Sequence, residues 1–299
     1  MKQQLRLFAA CTVLGAMAVA CDKATESVPS GTSEQISVTA SVGEITRATT
    51  VGRNTTFDPG DGIAVYGWTD DVSAVATDRM VVNGTVNTLN ADGSEWEPST
   101  QMLWRDMVSS HYFLGVYPAR QVTDFITDAY TLDVADQEKS DLLVATYTNN
   151  GKGMKATDGT VPLIFSHMMA KFQLTLSFRS QFGGTPTVES VACKARGTAT
   201  VDYLLKAITA TGDLADILLP TVTPNTAFTS VMIPQEGFDT VMIVIDGQTF
   251  TYRHAESIKL EQGKITTLHL IVGRDTITLG SVGIDDWELG TDLPDGEAL

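Results

Sequence analysis

Phe172-Gln173-Leu174-Thr175-Leu176-Ser177-Phe178 is the stretch that decides the fold. Apolar side chains at 172, 174, 176 and 178 alternate with polar ones at 173, 175 and 177. A period of two sends these sets to opposite faces of a β-strand, one packed and one wet. The same style recurs along the chain. Ile36-Ser37-Val38-Thr39-Ala40-Ser41-Val42 alternates in the same way and ends at Gly43. Ile63-Ala64-Val65-Tyr66-Gly67-Trp68 follows a turn built from Asp58-Pro59-Gly60-Asp61-Gly62. Tyr112-Phe113-Leu114-Gly115-Val116-Tyr117 is apolar on both faces, which predicts a central strand under cover.

Turn residues set the punctuation. Asn83-Gly84 and Asp246-Gly247 each stand between strand-like runs, and both predict tight hairpins, because both turn positions need positive φ. Residues 133–139 read as one or two helical turns. No segment keeps a helical period for ~12 residues. The later strands are expected at 188–193, 199–204, 228–233, 241–245, 248–252, 265–272, 276–279 and 284–287. Short strands between turn signals predict an all-β chain of β-sandwiches with little helix. The boundary between sandwiches is placed near Phe165.

The N-terminus has a different character. Lys2 and Arg6 precede an uncharged run from 7 to 20, and Cys21 follows at once. That run is shorter than the ~20 residues needed to cross a bilayer. A basic start, a short apolar core and small residues describe an export signal. Ala18-Val19-Ala20 fits an ordinary cut, and Cys21 just after it resembles a bacterial lipoprotein signal, with lipid on that cysteine. Residues 22–34 are rich in Ser, Thr and Ala and read as a tether.

The chain has 299 residues, 20 basic against 36 acidic, for a net charge of −16. Such an excess of negative charge opposes nucleic-acid backbones and anionic lipid heads. The three cysteines fit export without a disulfide framework: Cys11 is expected to leave with the signal, Cys21 would be acylated if the signal is of the lipoprotein kind, and Cys193 is then alone and expected to be a buried, inert thiol.

A search for chemistry finds little. His111, His167, His254 and His269 are scattered without metal-ligand spacing. His111 and His167 are expected to be satisfied by local hydrogen bonds, and His269 to face solvent. Ser110-His111 and Ser166-His167 are neighbours on strands, so each pair points to opposite faces and makes no nucleophile and base. Asp70-Asp71 and Asp285-Asp286 suit sugar hydrolysis by paired carboxylates, but solvated turns explain them better. Residues 58–62 and 90–95 mix acid and glycine without the spacing of a calcium loop. No catalytic, cofactor or metal residue is assigned. Trp68, Trp96, Trp104 and Trp287 serve either a core or a sugar-stacking platform.

Taken in order, several stretches resemble the fimbrillin family of Bacteroidales, whose members build surface fimbriae. They are the run from Gly60 to Trp68, Tyr112-Phe113-Leu114-Gly115-Val116-Tyr117-Pro118, and Asp141-Leu142-Leu143-Val144-Ala145. Leu163-Ile164-Phe165-Ser166-His167-Met168-Met169-Ala170-Lys171-Phe172 follows, then Leu260-Glu261-Gln262-Gly263-Lys264 and Ile284-Asp285-Asp286-Trp287-Glu288-Leu289-Gly290. The resemblance implies two tandem transthyretin-like β-sandwich domains, here at 48–165 and 166–299, behind a signal at 1–21 and a tether and removable strand at 22–47. It implies no enzyme and no cofactor. It further implies export through the periplasm to the outer membrane, lipid on Cys21, and trimming by an arginine-specific extracellular protease between Arg47 and Ala48.

A mechanism follows from that cut. Residues 36–42 are expected to fill an edge of the first sandwich with Ile36, Val38, Ala40 and Val42. Their departure bares an edge and an apolar groove for a strand of another fimbrial subunit, and the polymer serves adhesion to a host glycan or protein. The chain after Trp287 is acidic and broken by Pro294, a poor strand, so a donor strand falls at 276–287 or the subunit only accepts. A surface glycan-binding lipoprotein on β-sandwich domains is the alternative.

Overall fold

The computed structural model describes residues 35–43 and 56–287. The first strands are β1 (Val38–Val42), β2 (Gly62–Thr69), β3 (Met80–Leu89), β4 (Trp96–Pro98) and β5 (His111–Tyr117). β6 (Asp128–Thr131), a one-turn helix α1 (Gln137–Ser140), β7 (Leu143–Tyr147) and β8 (Val161–His167) follow. The next run is β9 (Ala170–Phe178), β10 (Val188–Asp202), β11 (Ala207–Leu218), β12 (Thr221–Thr223) and β13 (Ala227–Met232). β14 (Gln235–Ile245), β15 (Gln248–Leu260), β16 (Lys264–Val272) and β17 (Ile277–Asp286) end it. The fold is all-β, as the alternation predicts.

Three sheets carry these strands. The first has seven strands in the order β1-β8-β7-β5-β2-β3-β4. The second runs β11-β10-β14-β15, with β6 also pairing to β10, and the third runs β12-β13-β9-β16-β17. The chain passes from the first sheet to the third between His167 and Ala170. β6 crosses the other way: it comes from before residue 165, yet its partner is Thr198–Val201 of β10.

Burial explains the layers. Phe172, Leu174 and Leu176 of β9 are buried against Cys193 of β10, Phe238 and Ile243 of β14, and Leu268 and Leu270 of β16. This is a sandwich core made by the inward rows of two sheets. The seven-stranded sheet is packed on both faces. Ala64, Tyr66, Trp68, Leu114 and Val116 meet Ala199 and Val201 of β10, and Tyr203 just after it, on one side. Ile63, Val65, Phe113, Leu143 and Phe165 fill the other side. β5 is therefore the covered central strand expected from its unbroken apolar run.

Three expectations are corrected. Asn83-Gly84 is not a hairpin: it lies inside β3, where Val65 pairs with Thr85 and Tyr66 with Asn83, leaving Gly84 as an extra residue. Gly84 has φ +68°, and a Cβ there would lie 2.9 Å from the Tyr66 hydroxyl, so only glycine fits this bulge. The runs at 188–193 and 199–204 merge into the single strand β10, bent by a register shift between Arg196 and Thr198. β11 has no counterpart among the expected strands. Its Ala-Ile-Thr-Ala-Thr-Gly-Asp-Leu-Ala-Asp-Ile-Leu sequence is mostly exposed and holds its place through the ladder to β10. Asp246-Gly247 is a tight hairpin as read, with φ values of +48° and +76° between Ile245 and Gln248.

Candidate functional site: the β1 slot

The site is built around β1, the end strand of the seven-stranded sheet. β1 runs parallel to β8, with Val38 opposite Val161, Ala40 opposite Leu163 and Val42 opposite Phe165. Both ends are pinned. Ile36 N–H donates to the Met102 carbonyl at 2.8 Å, and Val161 N–H donates to the Ser37 carbonyl at 2.9 Å. Gly43 N–H donates to the Phe165 carbonyl at 2.9 Å. The Trp104 indole donates to the Gln35 carbonyl at 3.2 Å, and the Ser37 and Thr160 hydroxyls lie 3.0 Å apart.

The side chains follow the period-two reading. Ile36 is 3% exposed and Val38 is 5% exposed. Both enter the same core as Met102, Trp104, Val161, Leu163 and Phe165, and Ala40 and Val42 pack partly against it. Although β1 and β4 stand at opposite ends of the sheet order, they come within 8 Å of each other, Cα to Cα. The sheet curls round this core, and β1 is the piece that closes the curl. Beside it lies a cleft of about 330 Å³ lined by Ala40, Val42, Phe57, Leu89 and Trp96.

β8 depends on β1 for its backbone. Its ladder to β7 is limited to Leu143–His167 and Val144–Ser166. Residues 161–165 are paired to β1 instead. Pro162 gives a reason. Val161 N–H points to β1, so the next nitrogen faces the β7 side, and proline has no hydrogen to donate there. Removal of β1 would leave the β1-facing backbone groups of Val161, Leu163 and Phe165 unmet and their side-chain row uncovered.

The other residues singled out in the sequence fall elsewhere. Cys21, Arg47 and Ala48 lie outside the described residues. Cys193 is fully buried, and burial pushes its thiol up to about 12, so it is inert at neutral pH. His111 is buried. Its Nε2 accepts from Arg105 N–H at 3.1 Å, its Nδ1 lies 3.0 Å from the Ser109 carbonyl, and burial lowers its pKa. His167 departs from expectation: Nδ1 meets Asp141 Oδ1 at 2.9 Å, but Nε2 is buried without a hydrogen-bond partner. Its ring stacks on Trp287 at 4.0 Å. His269 is half-buried and bonds Ser177 Oγ at 2.8 Å.

The paired acids serve their own neighbourhoods. Asp70 pairs with Arg79 at 3.1 Å, and Asp71 accepts from the Ser73 N–H and hydroxyl, which lower its pKa. Asp286 pairs with Lys264 across the β16–β17 ladder. In the two acidic turns, Asp61 Oδ2 caps Asp58 N–H, and Asn90 and Asp92 cap Ser94. Among the described residues no group of three or more His, Cys, Asp or Glu could hold a metal ion. Trp68, Trp104 and Trp287 are buried, and Trp96 is half-buried against Phe57 at 5.2 Å.

The model of the fimbrillin-like family matches residues 46–287. A comparison with curated protein sequences finds no match. Among solved structures, a protein from Bacteroides uniformis described as a candidate for cell adhesion aligns with a TM-score of 0.64 at 19% identity, over 85% of this chain and 100% of that one. A similarly described protein from Bacteroides ovatus aligns with a TM-score of 0.66 at 16% identity, over 86% and 99%. A fimbrial protein from Bacteroides vulgatus aligns with a TM-score of 0.52 at 13% identity, over 84% and 99%. At these identities the structures speak for the fold; the matched span speaks for descent, and the chain belongs to the fimbrillin-like family.

Proposed function

We propose that this chain is a fimbrial subunit that polymerises at the cell surface by strand exchange at the β1 slot and serves adhesion rather than catalysis. The observation that carries the proposal is the seat of β1: an end strand with Ile36 and Val38 buried in a core otherwise built by residues beyond 56. Two tandem sandwiches meeting near residue 165 are part of this reading.

A protease cut between Arg47 and Ala48 falls after β1 and before the rest of the sheet. It leaves β1 held by non-covalent contacts alone. Burial of Ile36 and Val38 contributes about 1.5–3 kcal/mol each. The backbone hydrogen bonds add about 0.5–1.5 kcal/mol net apiece. A hold of that size keeps β1 in place until a competing strand offers the same contacts. Pairing of that kind, passed from one subunit to the next without closing on itself, makes a filament.

Lipid on Cys21 would anchor the newly exported chain to the outer membrane, because an anchor with two or more chains holds firmly. Anchor and plug then sit on one peptide, residues 21–47. After the cut, a single displacement of β1 would free the subunit from the membrane and open its slot together. The family match begins at residue 46, which agrees with a segment that does not stay in the assembled subunit.

Mass spectrometry of surface polymers tests this. A mature N-terminus at Ala48 in polymers and at Cys21 in membrane-bound monomers is the expected result. Residues 22–47 present in every assembled form would overturn it.

A further inference from the structure

The slot proposal concerns one end of β8. The other end makes a contact of its own. Val161, Leu163, Phe165 and His167 form one buried row along β8. The first three face the core that Ile36 and Val38 complete. The fourth stacks on Trp287 with the rings 10° from parallel. Trp287 follows directly after β17, and its N–H donates to the Gly263 carbonyl at 2.9 Å. Lys171 Nζ lies over the same indole, 5.6 Å from its centre. The indole is thus held between His167 and Lys171.

Apart from that contact, β17 is held chiefly by its ladder to β16. It is the end strand of its sheet, paired only to β16. Leu279, Val282 and Ile284 are 43%, 39% and 44% exposed, whereas Trp287 is 8% exposed. The indole is therefore the chief buried side chain at that end of the described chain.

We infer that β8 couples the two ends of the molecule: the seating of β1 and the docking of Trp287 are held by the same strand, so vacating the slot loosens β17. This rests on the slot reading and goes beyond it. The physical reason is the sparse ladder between β8 and β7. With β1 gone, residues 161–165 lose their ladder partner, and only Leu143–His167 and Val144–Ser166 remain to fix the strand. His167 sits in that last pair, so the ring that supports Trp287 is carried by a strand no longer held along most of its length. The N-terminal cut is thereby read at the C-terminal strand, some 240 residues on, although β1 pairs to β8 and β17 to β16. Coupling of this kind is reciprocal: whatever factor β1 exerts on Trp287, Trp287 exerts on β1.

Hydrogen exchange read by mass spectrometry on the chain from residue 22 tests it. In Val38→Asp, which expels β1 by charge, amides of 161–165 and of 277–287 should both exchange about ten-fold faster or more. In the oxidised Ser37→Cys/Thr160→Cys form, which ties β1 to its seat, both should keep parent rates. Trp287→Ala should speed exchange in 38–42 by a factor comparable to that seen at 277–287 in Val38→Asp. Rates at 277–287 unchanged while 161–165 open would overturn the coupling and leave the slot intact. Protection at 161–165 in Val38→Asp would instead count against the slot. Should Val38→Asp not fold, the Trp287→Ala arm decides alone: parent rates at 38–42 sink the inference.

Discussion

β1 and β17 are both end strands, yet they relate to the molecule in opposite ways. β1 has five residues and β17 has ten. The shorter strand is the more deeply embedded: Val38, and Ile36 just before it, complete a core, while β17 shows Leu279, Val282 and Ile284 to solvent. Ladder length therefore says little about what an end strand does. What decides is the destination of its side chains. A strand whose side chains are core residues leaves a hole when it departs, and a hole of defined shape is what a replacement can recognise. A strand whose side chains are wet leaves only an unpaired edge.

The contrast predicts a graded series. The largest effect belongs to Val38→Asp, which places a carboxylate in an apolar core. A loss above about 4 kcal/mol, or outright expulsion of β1, is expected, because an unpaired charge cannot stay buried. Urea unfolding monitored by tryptophan fluorescence measures it. A loss below about 1 kcal/mol would show that β1 is not a core strand.

Phe165→Ala comes next. Phe165 is fully buried on the floor of the slot, with its ring 5.4 Å from Phe57. A cost of about 3–5 kcal/mol is expected for deleting a buried ring. The cavity should also weaken seating of a synthetic peptide of residues 35–43 in the cut protein, read by calorimetry.

Ile284→Ser and Leu279→Ser should each cost no more than about 1 kcal/mol, since these side chains are only partly covered, at 44% and 43% exposed. A loss of about 2 kcal/mol in the same urea assay would mean that β17 packs on something in the folded chain and would erase the contrast drawn above.

The smallest effect concerns pH. Asp106 accepts from the Ser109 hydroxyl and from Ser109 and Val108 N–H, and these bonds hold its carboxyl down to about 2. A folded value below the unfolded one contributes stability above about pH 4, lost as pH falls through about 2. The loop at 105–110 leads into β5, and its amides should lose protection in that window. Asp106→Asn should flatten the dependence there and leave β1 and β17 unchanged.

Much of the fold is legible in local pattern. The alternation at 172–178 and 36–42 announces two strands, and the unbroken run at 112–117 announces a covered one. Asp246-Gly247 names its hairpin. Asn83-Gly84 carries the same turn chemistry but lies in a bulge, because Tyr66 on the neighbouring strand needs the space that a side chain would occupy. β11 is invisible in the pattern for the converse reason: its side chains are mostly in water, so burial imposes no period on them. The histidines divide likewise. His111 finds the local partners that its sequence neighbours supply, whereas His167 is stacked on a residue 120 positions away.

The sequence by itself determined that residues 36–42 are a half-buried strand, since a period of two is a local property of side-chain order. Only the tertiary structure decided that this strand closes a curled sheet beside β8, in parallel and with Pro162 turned from β1. Which edge a strand joins is set by the unmet backbone groups and uncovered apolar rows of distant segments, and those exist only once the rest of the chain has folded.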